Sequence, residues 1–143
     1  VTAYVHVWPV RIYYEDTDHG GVVYYANYLR FMERARTEFL RCEGIELDEL
    51  ERNEGVLFSV TQANIRYLKP ARFNDMLEVR SRLLAARGAR LAFSQCIFCE
   101  REAIVEAEIR LACTDRTGRP SRIPPTVSDC IKAKISRETQ HEQ

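Results

Sequence analysis

Asp16 and Asp18 lie two residues apart in the segment YYEDTDHGG, and a glycine pair, Gly20 and Gly21, closes it. The residues after the glycines read as one long helix, so both carboxylates stand just ahead of a helix N-terminus. That end of a helix offers unpaired backbone N–H groups and a partial positive charge. Such donors can hold a developing oxyanion while a carboxylate attacks a carbonyl carbon or activates a water. The combination suggests acyl transfer without a serine or cysteine nucleophile. Asp is also favoured at helix N-caps and in Asx turns. For Asp16, shaping the turn through local hydrogen bonds is the expected role.

Other residue types point less sharply. His19 sits beside Asp18 as an expected exposed turn residue, and His6 and His141 lie near the ends of the chain. The five cysteines, Cys42, Cys96, Cys99, Cys113 and Cys130, are odd in number and show no disulfide spacing, so free thiols are expected. Cys96-Ile-Phe-Cys99 has CxxC spacing but falls in a strand-like run. Residues three apart on a strand point to opposite faces, which prevents shared metal ligation. No His, Cys and carboxylate cluster has ligand spacing, and no metal or bound cofactor is expected.

The chain has 143 residues, enough for one domain with a real core. We expect a single domain over residues 1–143, with its core at about 8–124 and a tail at 125–143. Lys and Arg number 21, as do Asp and Glu, giving a formal net charge of zero. That balance argues against a nucleic-acid partner and removes one barrier to self-association. No apolar run approaches the roughly 20 residues a membrane span needs. The first residues, VTAYVHVWP, lack a basic n-region and a long apolar h-region, so no signal peptide is expected among them.

The elements that must position the carboxylates follow from periodicity. Trp8 to Tyr14 reads as a strand entered through Pro9, and Glu15 to Gly21 as a turn. From about Val22 to Cys42, apolar residues at Tyr28, Met32, Ala35 and Phe39 recur at helical intervals, and Gly44 ends the run. A short helix is expected at about Leu47 to Asn53. Strands follow at Val56 to Leu68, Met76 to Ala86, Arg90 to Glu100 and Ala103 to Thr114. Pro124-Pro125 precedes a short helix at about Val127 to Lys134, and SRETQHEQ reads as a frayed tail. One antiparallel sheet packed on one central helix buries the apolar faces of both. An open sheet edge then invites pairing with a second copy.

The segment WPVRIYYEDTDHGGVVYYANYLRFMERARTEFLR resembles the Tol-Pal-associated acyl-CoA thioesterases, of the 4-hydroxybenzoyl-CoA thioesterase-like branch of the hotdog fold. Its most specific part is Tyr-x-x-Asp-Thr-Asp-x-x-Gly-x-Val-Tyr, running from Tyr13 to Tyr24, and the run from Glu33 to Thr37 adds to it. RYLKPARFNDMLEV, Arg66 to Val79, extends the similarity, which covers roughly Trp8 to Pro124.

The resemblance implies an α+β hotdog fold, about five antiparallel strands wrapped around one long helix. It implies hydrolysis of an acyl-CoA thioester to a free acid and CoA, with Asp18 as nucleophile or general base. The backbone N–H of Tyr25 would polarise the thioester oxygen, and Gly21 would let the backbone approach the substrate. Several relatives carry His where this chain has Tyr25, which keeps the backbone donor and loses the imidazole. Glu33 is the alternative catalytic carboxylate, since some hotdog thioesterases use one on the helix. It is also an ion-pair candidate among Arg30, Arg34 and Arg36. Tyr14 is a candidate for the acyl pocket. Arg66, Lys69 and Arg72 are candidates for the CoA phosphates, with Arg87, Arg90, Arg119 and Arg122 behind them. Expected partners are the acyl-CoA substrate, further copies in a tetramer of hotdog dimers, and acyl carrier protein. The expected location is cytoplasmic, with peripheral association at the inner membrane. Rival readings are a scaffold that binds acyl carrier protein without catalysis, and a hotdog dehydratase. The latter chemistry needs a His beside an acid, and His19 is poorly placed for it.

Overall fold

The structure, a computed structural model, describes residues 5–141. Its sheet contains β1 (His6–Arg11), β2 (Val56–Tyr67), β3 (Met76–Arg87), β4 (Arg90–Cys99) and β5 (Glu102–Asp115). Among the described residues three α-helices accompany it: α1 (Asn27–Cys42), α2 (Leu47–Glu54) and α3 (Pro125–His141). The strand order is β1-β3-β4-β5-β2, and every pairing is antiparallel. One line of register crosses the whole sheet, from Trp8 through Val79, Ile97 and Val105 to Tyr67. This is the five-stranded α+β hotdog arrangement that the resemblance implies.

Alternation decides which face each strand buries. Leu77, Val79, Ser81 and Leu83 of β3 are buried with Leu91, Phe93, Gln95 and Ile97 of β4, while the residues that alternate with them are more exposed. Period-two patterning of this kind can face only one core. That core meets Phe31, Met32, Ala35 and Phe39 of α1, and Phe39 lies edge-on to Phe93 with ring centroids 5.7 Å apart. Among the described residues, one charged group enters it. Arg36 is only 7 % exposed and donates from Nη1 to Gln95 Oε1 at 2.9 Å. Gln95 Nε2 reaches Met32 O at 3.0 Å and Ser81 Oγ at 2.9 Å, tying α1 to two strands. Burial pulls the Arg36 pKa below its ordinary value.

Two helices differ from the sequence expectation. α1 starts at Asn27, not near Val22. Val22 and Val23 instead form bridges to Arg72 and Thr17, and the Val23 N–H donates to Ala71 O at 2.8 Å. β-branched residues suit that extended backbone. α3 begins at Pro125, where a missing N–H costs nothing, and runs on to His141 rather than ending near Lys134. Most of the expected frayed tail is therefore helical, and its last two residues lie outside the described range. Val127 and Ile131 of α3 are buried in the common core.

The first strand also ends early. After Arg11 the chain leaves the sheet, and Tyr14–Asp16 form one 3-10 turn. Asp16 Oδ2 accepts the Tyr13 N–H at 2.8 Å, which folds this turn before the motif begins. The strand at the far edge, β2, is exposed on both faces from Ser59 to Asn64. Among the described residues, no helix is long and apolar enough to cross a membrane.

Candidate active site

Asp18 begins a tight turn. Its N–H donates to Val22 O at 2.8 Å, and the Gly21 N–H returns to Asp18 O at 3.0 Å. The Gly20 N–H donates to Asp18 Oδ1 at 2.8 Å. Gly21 has φ +78°, the left-handed conformation that glycine adopts without strain. Asp18 itself is exposed, and among the described residues its second carboxylate oxygen has no protein donor. Asp16 differs: its carboxylate holds Tyr13 N–H, and its carbonyl accepts Tyr24 N–H at 3.0 Å and Asn27 Nδ2 at 2.9 Å. Asp16 thus shapes the turn, and Asp18 stands open.

The helix start beside it is also open. The N–H groups of Val23, Tyr24 and Asn27 are spent on Ala71 O, Asp16 O and Tyr24 O. Those of Tyr25 and of Ala26, the N-cap residue of α1, meet no acceptor among the described residues, and no side chain caps this end. Tyr25 therefore lies two residues before α1, with its backbone donor available. Its ring is 61 % exposed and stacks at a tilt on Tyr24, with centroids 4.9 Å apart, and edge-on to Tyr67 at 6.1 Å. A hydrogen bond with Tyr25 raises the Tyr24 pKa, while burial raises those of Tyr28 and Tyr67.

The remaining candidates divide. Tyr14 is 81 % exposed and meets Phe73 edge-on at 6.1 Å over an open cavity of about 610 Å³, which Arg11, Ile12, Tyr13 and Asn74 complete. Arg72 is exposed, bridges to Val22 through its backbone, and joins no ion pair among the described residues. Arg66 is paired with Glu106 at 3.5 Å and Lys69 with Glu102. Glu33 is exposed on α1, accepting the Thr37 hydroxyl at 3.4 Å. Six residues into the helix, it stands about 9 Å along the axis from the start of α1. All five cysteines are free, and no three His, Cys, Asp or Glu side chains gather for a metal among the described residues.

Three residues around the site escaped sequence reasoning. Tyr67, Asn27 and Tyr28 contact the turn or the helix start through hydrogen bonds or ring contacts. Only the place of Asn27 and Tyr28 next to the motif hinted at them. Tyr67 comes from β2, 42 residues away from Tyr25 in the chain.

A carboxylate with a free oxygen beside open backbone donors can carry out acyl transfer. The profile of the Thioesterase-like superfamily matches residues 12–131. The "Acyl-CoA thioester hydrolase YbgC" of Escherichia coli O6:H1 is 43% identical over 122 residues, covering 84% of this chain and 90% of that protein. A probable thioesterase from Bartonella henselae, solved by crystallography, superposes with a TM-score of 0.82 at 35% identity, covering 85% of this chain and all of that one (100%). A DHNA-CoA thioesterase from Staphylococcus aureus superposes at TM-score 0.87 over 97% of this chain and 95% of its own, and at 22% identity it speaks to the fold alone.

Proposed function

The chain belongs to the Thioesterase-like superfamily and is a thioester hydrolase, and we propose that its substrate is an acyl-CoA and that Asp18 is the reacting carboxylate. One observation carries the assignment of Asp18: its exposed carboxylate, with a single donor among the described residues, stands in a turn tied to the open N-terminus of α1 through Asp16 O, which accepts the Tyr24 N–H and Asn27 Nδ2. The thioester oxygen would lie on the Tyr25 N–H, where negative charge grows as the carbonyl carbon becomes tetrahedral. Close approach of the substrate to the backbone is the role we assign to Gly21, where a Cβ would meet nothing within 4 Å.

Two routes use the same geometry. As nucleophile, Asp18 attacks the carbonyl carbon, the C–S bond breaks, CoA leaves as thiolate, and water hydrolyses the resulting anhydride. As general base, Asp18 takes a proton from water, and that water attacks the carbonyl carbon directly. Single turnover in heavy-oxygen water separates them, because hydrolysis of the anhydride at its Asp18 carbonyl leaves label in the protein. Neither route requires an imidazole at Tyr25.

The two-sided exposure of β2 supports a homo-oligomer in which that edge pairs with a second copy, and two such dimers would form a tetramer. Acyl carrier protein thioesters are the second substrate class to test. The deciding experiment is thiol release from short, long and aromatic acyl-CoA thioesters, by wild type beside Asp18→Asn. Hydrolysis lost in the variant, with fold and oligomer retained, supports the assignment. Equal hydrolysis by both proteins moves the chemistry to Glu33.

A further inference from the structure

We infer that Asn27 and Tyr28, the first two residues of α1, are positioning residues that clamp the Asp18 turn to the helix start from both sides. The inference rests on Asp18 as the reacting group. Asn27 Nδ2 donates to Asp16 O at 2.9 Å, which holds the strand of the turn that enters Asp18. The same carbonyl accepts the Tyr24 N–H at 3.0 Å, so the two ends of the turn share one anchor. Tyr28 works on the other side. Its hydroxyl, on a side chain only 3 % exposed, accepts the Ala71 N–H at 3.0 Å. The Ala71 carbonyl then accepts the Val23 N–H at 2.8 Å, and Val22 bridges to Arg72. Val22 in turn receives the Asp18 N–H at 2.8 Å.

The route from the Tyr28 hydroxyl to the Asp18 backbone thus passes only through hydrogen-bonded peptides and adjacent residues. Rings fix Tyr28 in place: Phe31 lies edge-on at 6.1 Å and Tyr67 tilts against it at 5.8 Å. Tyr67 also directs its hydroxyl at Tyr25 O, 3.4 Å away. The carboxylate on the turn and the donor at the helix start therefore hang from one rigid frame. Asp18 is exposed and, among the described residues, has only the Gly20 N–H on its carboxylate, so the backbone must supply its placement.

Tyr28→Phe keeps the ring and deletes the hydroxyl, and Asn27→Ala deletes the amide. A displacement near 1 Å can cost about 100-fold in rate, so each variant should lose about 10- to 100-fold in kcat, with KM changed less than about threefold. Val127→Ala, a buried α3 change outside the turn and the clamp, serves as the control for a loss of stability alone. It should keep wild-type kcat. In an Asp18→Asn background, Tyr28→Phe should have no further effect on residual turnover. Wild-type kcat in Tyr28→Phe, a rise in KM alone, or an equal kcat loss in Val127→Ala would each overturn the clamp. Full activity in Asp18→Asn would instead overturn the assignment beneath it, so the two failures are distinguishable.

Discussion

The chain makes the same turn twice, at Thr17–Gly21 and at Thr114–Gly118. In each, Thr bridges to the residue six positions on, Val23 in one case and Pro120 in the other. Each Asp donates its N–H to the carbonyl four residues later at 2.8 Å, and each Gly returns its N–H to the Asp carbonyl at 3.0 Å. Each Asp Oδ1 accepts the N–H two residues on at 2.8 Å. The closing glycines have φ +78° and +87°. What differs is the load on Oδ1 of the carboxylate. Asp115 Oδ1 also takes the Thr117 hydroxyl at 2.5 Å and the Arg119 N–H at 3.1 Å, whereas Asp18 has a glycine where Thr117 stands. The surroundings differ too, since the Asp18 turn runs into the open start of α1 and the Asp115 turn follows β5. One backbone device supports both a structural turn and a candidate catalytic one; among the described residues one oxygen of each carboxylate has no protein donor, and three donors on Oδ1 of Asp115 against one on Asp18 separate them.

The sharpest way to break this comparison is to neutralise both carboxylates. Asp18→Asn should lower kcat by about 100-fold or more, the scale of a positioned base or nucleophile. Asp115→Asn should leave kcat within about twofold of wild type, as expected for a group that only braces a turn. Comparable losses in the two variants would mean that both act through stability.

Gly20→Thr makes the first turn more like the second. A Cβ at Gly20 would stand 3.3 Å from Asp18 Oδ1, close enough for a threonine hydroxyl to reach the carboxylate. A hydrogen bond to a charged group is worth about 1.5–3 kcal/mol, so occupying the carboxylate should cost about tenfold in kcat or more. The melting temperature should hold or rise. Unchanged kcat would show that an open carboxylate is not what distinguishes the turns.

The repeat explains what the sequence made legible. Asp18 and Gly21 stand out because turn chemistry is local, and the alternation of β3, β4 and β5 is local too. The start of α1 is hidden in the sequence because Val22 and Val23 extend an apolar run, while their partners, Ala71 and Arg72, are about fifty residues away. The hydroxyl of Tyr28 looks like any aromatic on a helical stripe until Ala71 is brought against it. Thr-Asp-His-Gly-Gly and Thr-Asp-Arg-Thr-Gly share three residues, too few to mark a repeat in the sequence, and the shared register gives the likeness its meaning.

Gly21→Ala and Gly118→Ala carry the comparison to the backbone. An added Cβ meets nothing within 4 Å at either site, so the cost is the left-handed backbone itself. That cost is about 1–2 kcal/mol. Denaturant unfolding should report similar losses for the pair, and only Gly21→Ala should also lower kcat. Loss of kcat in Gly118→Ala would couple the two turns and weaken the division between them.

The smallest effect concerns acid. The Thr117 hydroxyl first, then the Arg119 N–H, hold the Asp115 carboxyl below its ordinary value. A depressed carboxyl stabilises the fold fully above its unfolded value of about 3.9 and loses that contribution as pH falls through the lowered folded value. Thr117→Ala removes the hydroxyl and keeps the backbone donor. The Asp115 carboxyl resonance should then titrate at higher pH by NMR. The melting temperatures of wild type and Thr117→Ala should converge below about pH 4, once the carboxyl is protonated in both. A gap that persisted undiminished at low pH would mean that Thr117 acts by packing, and that Asp115 is as free as Asp18.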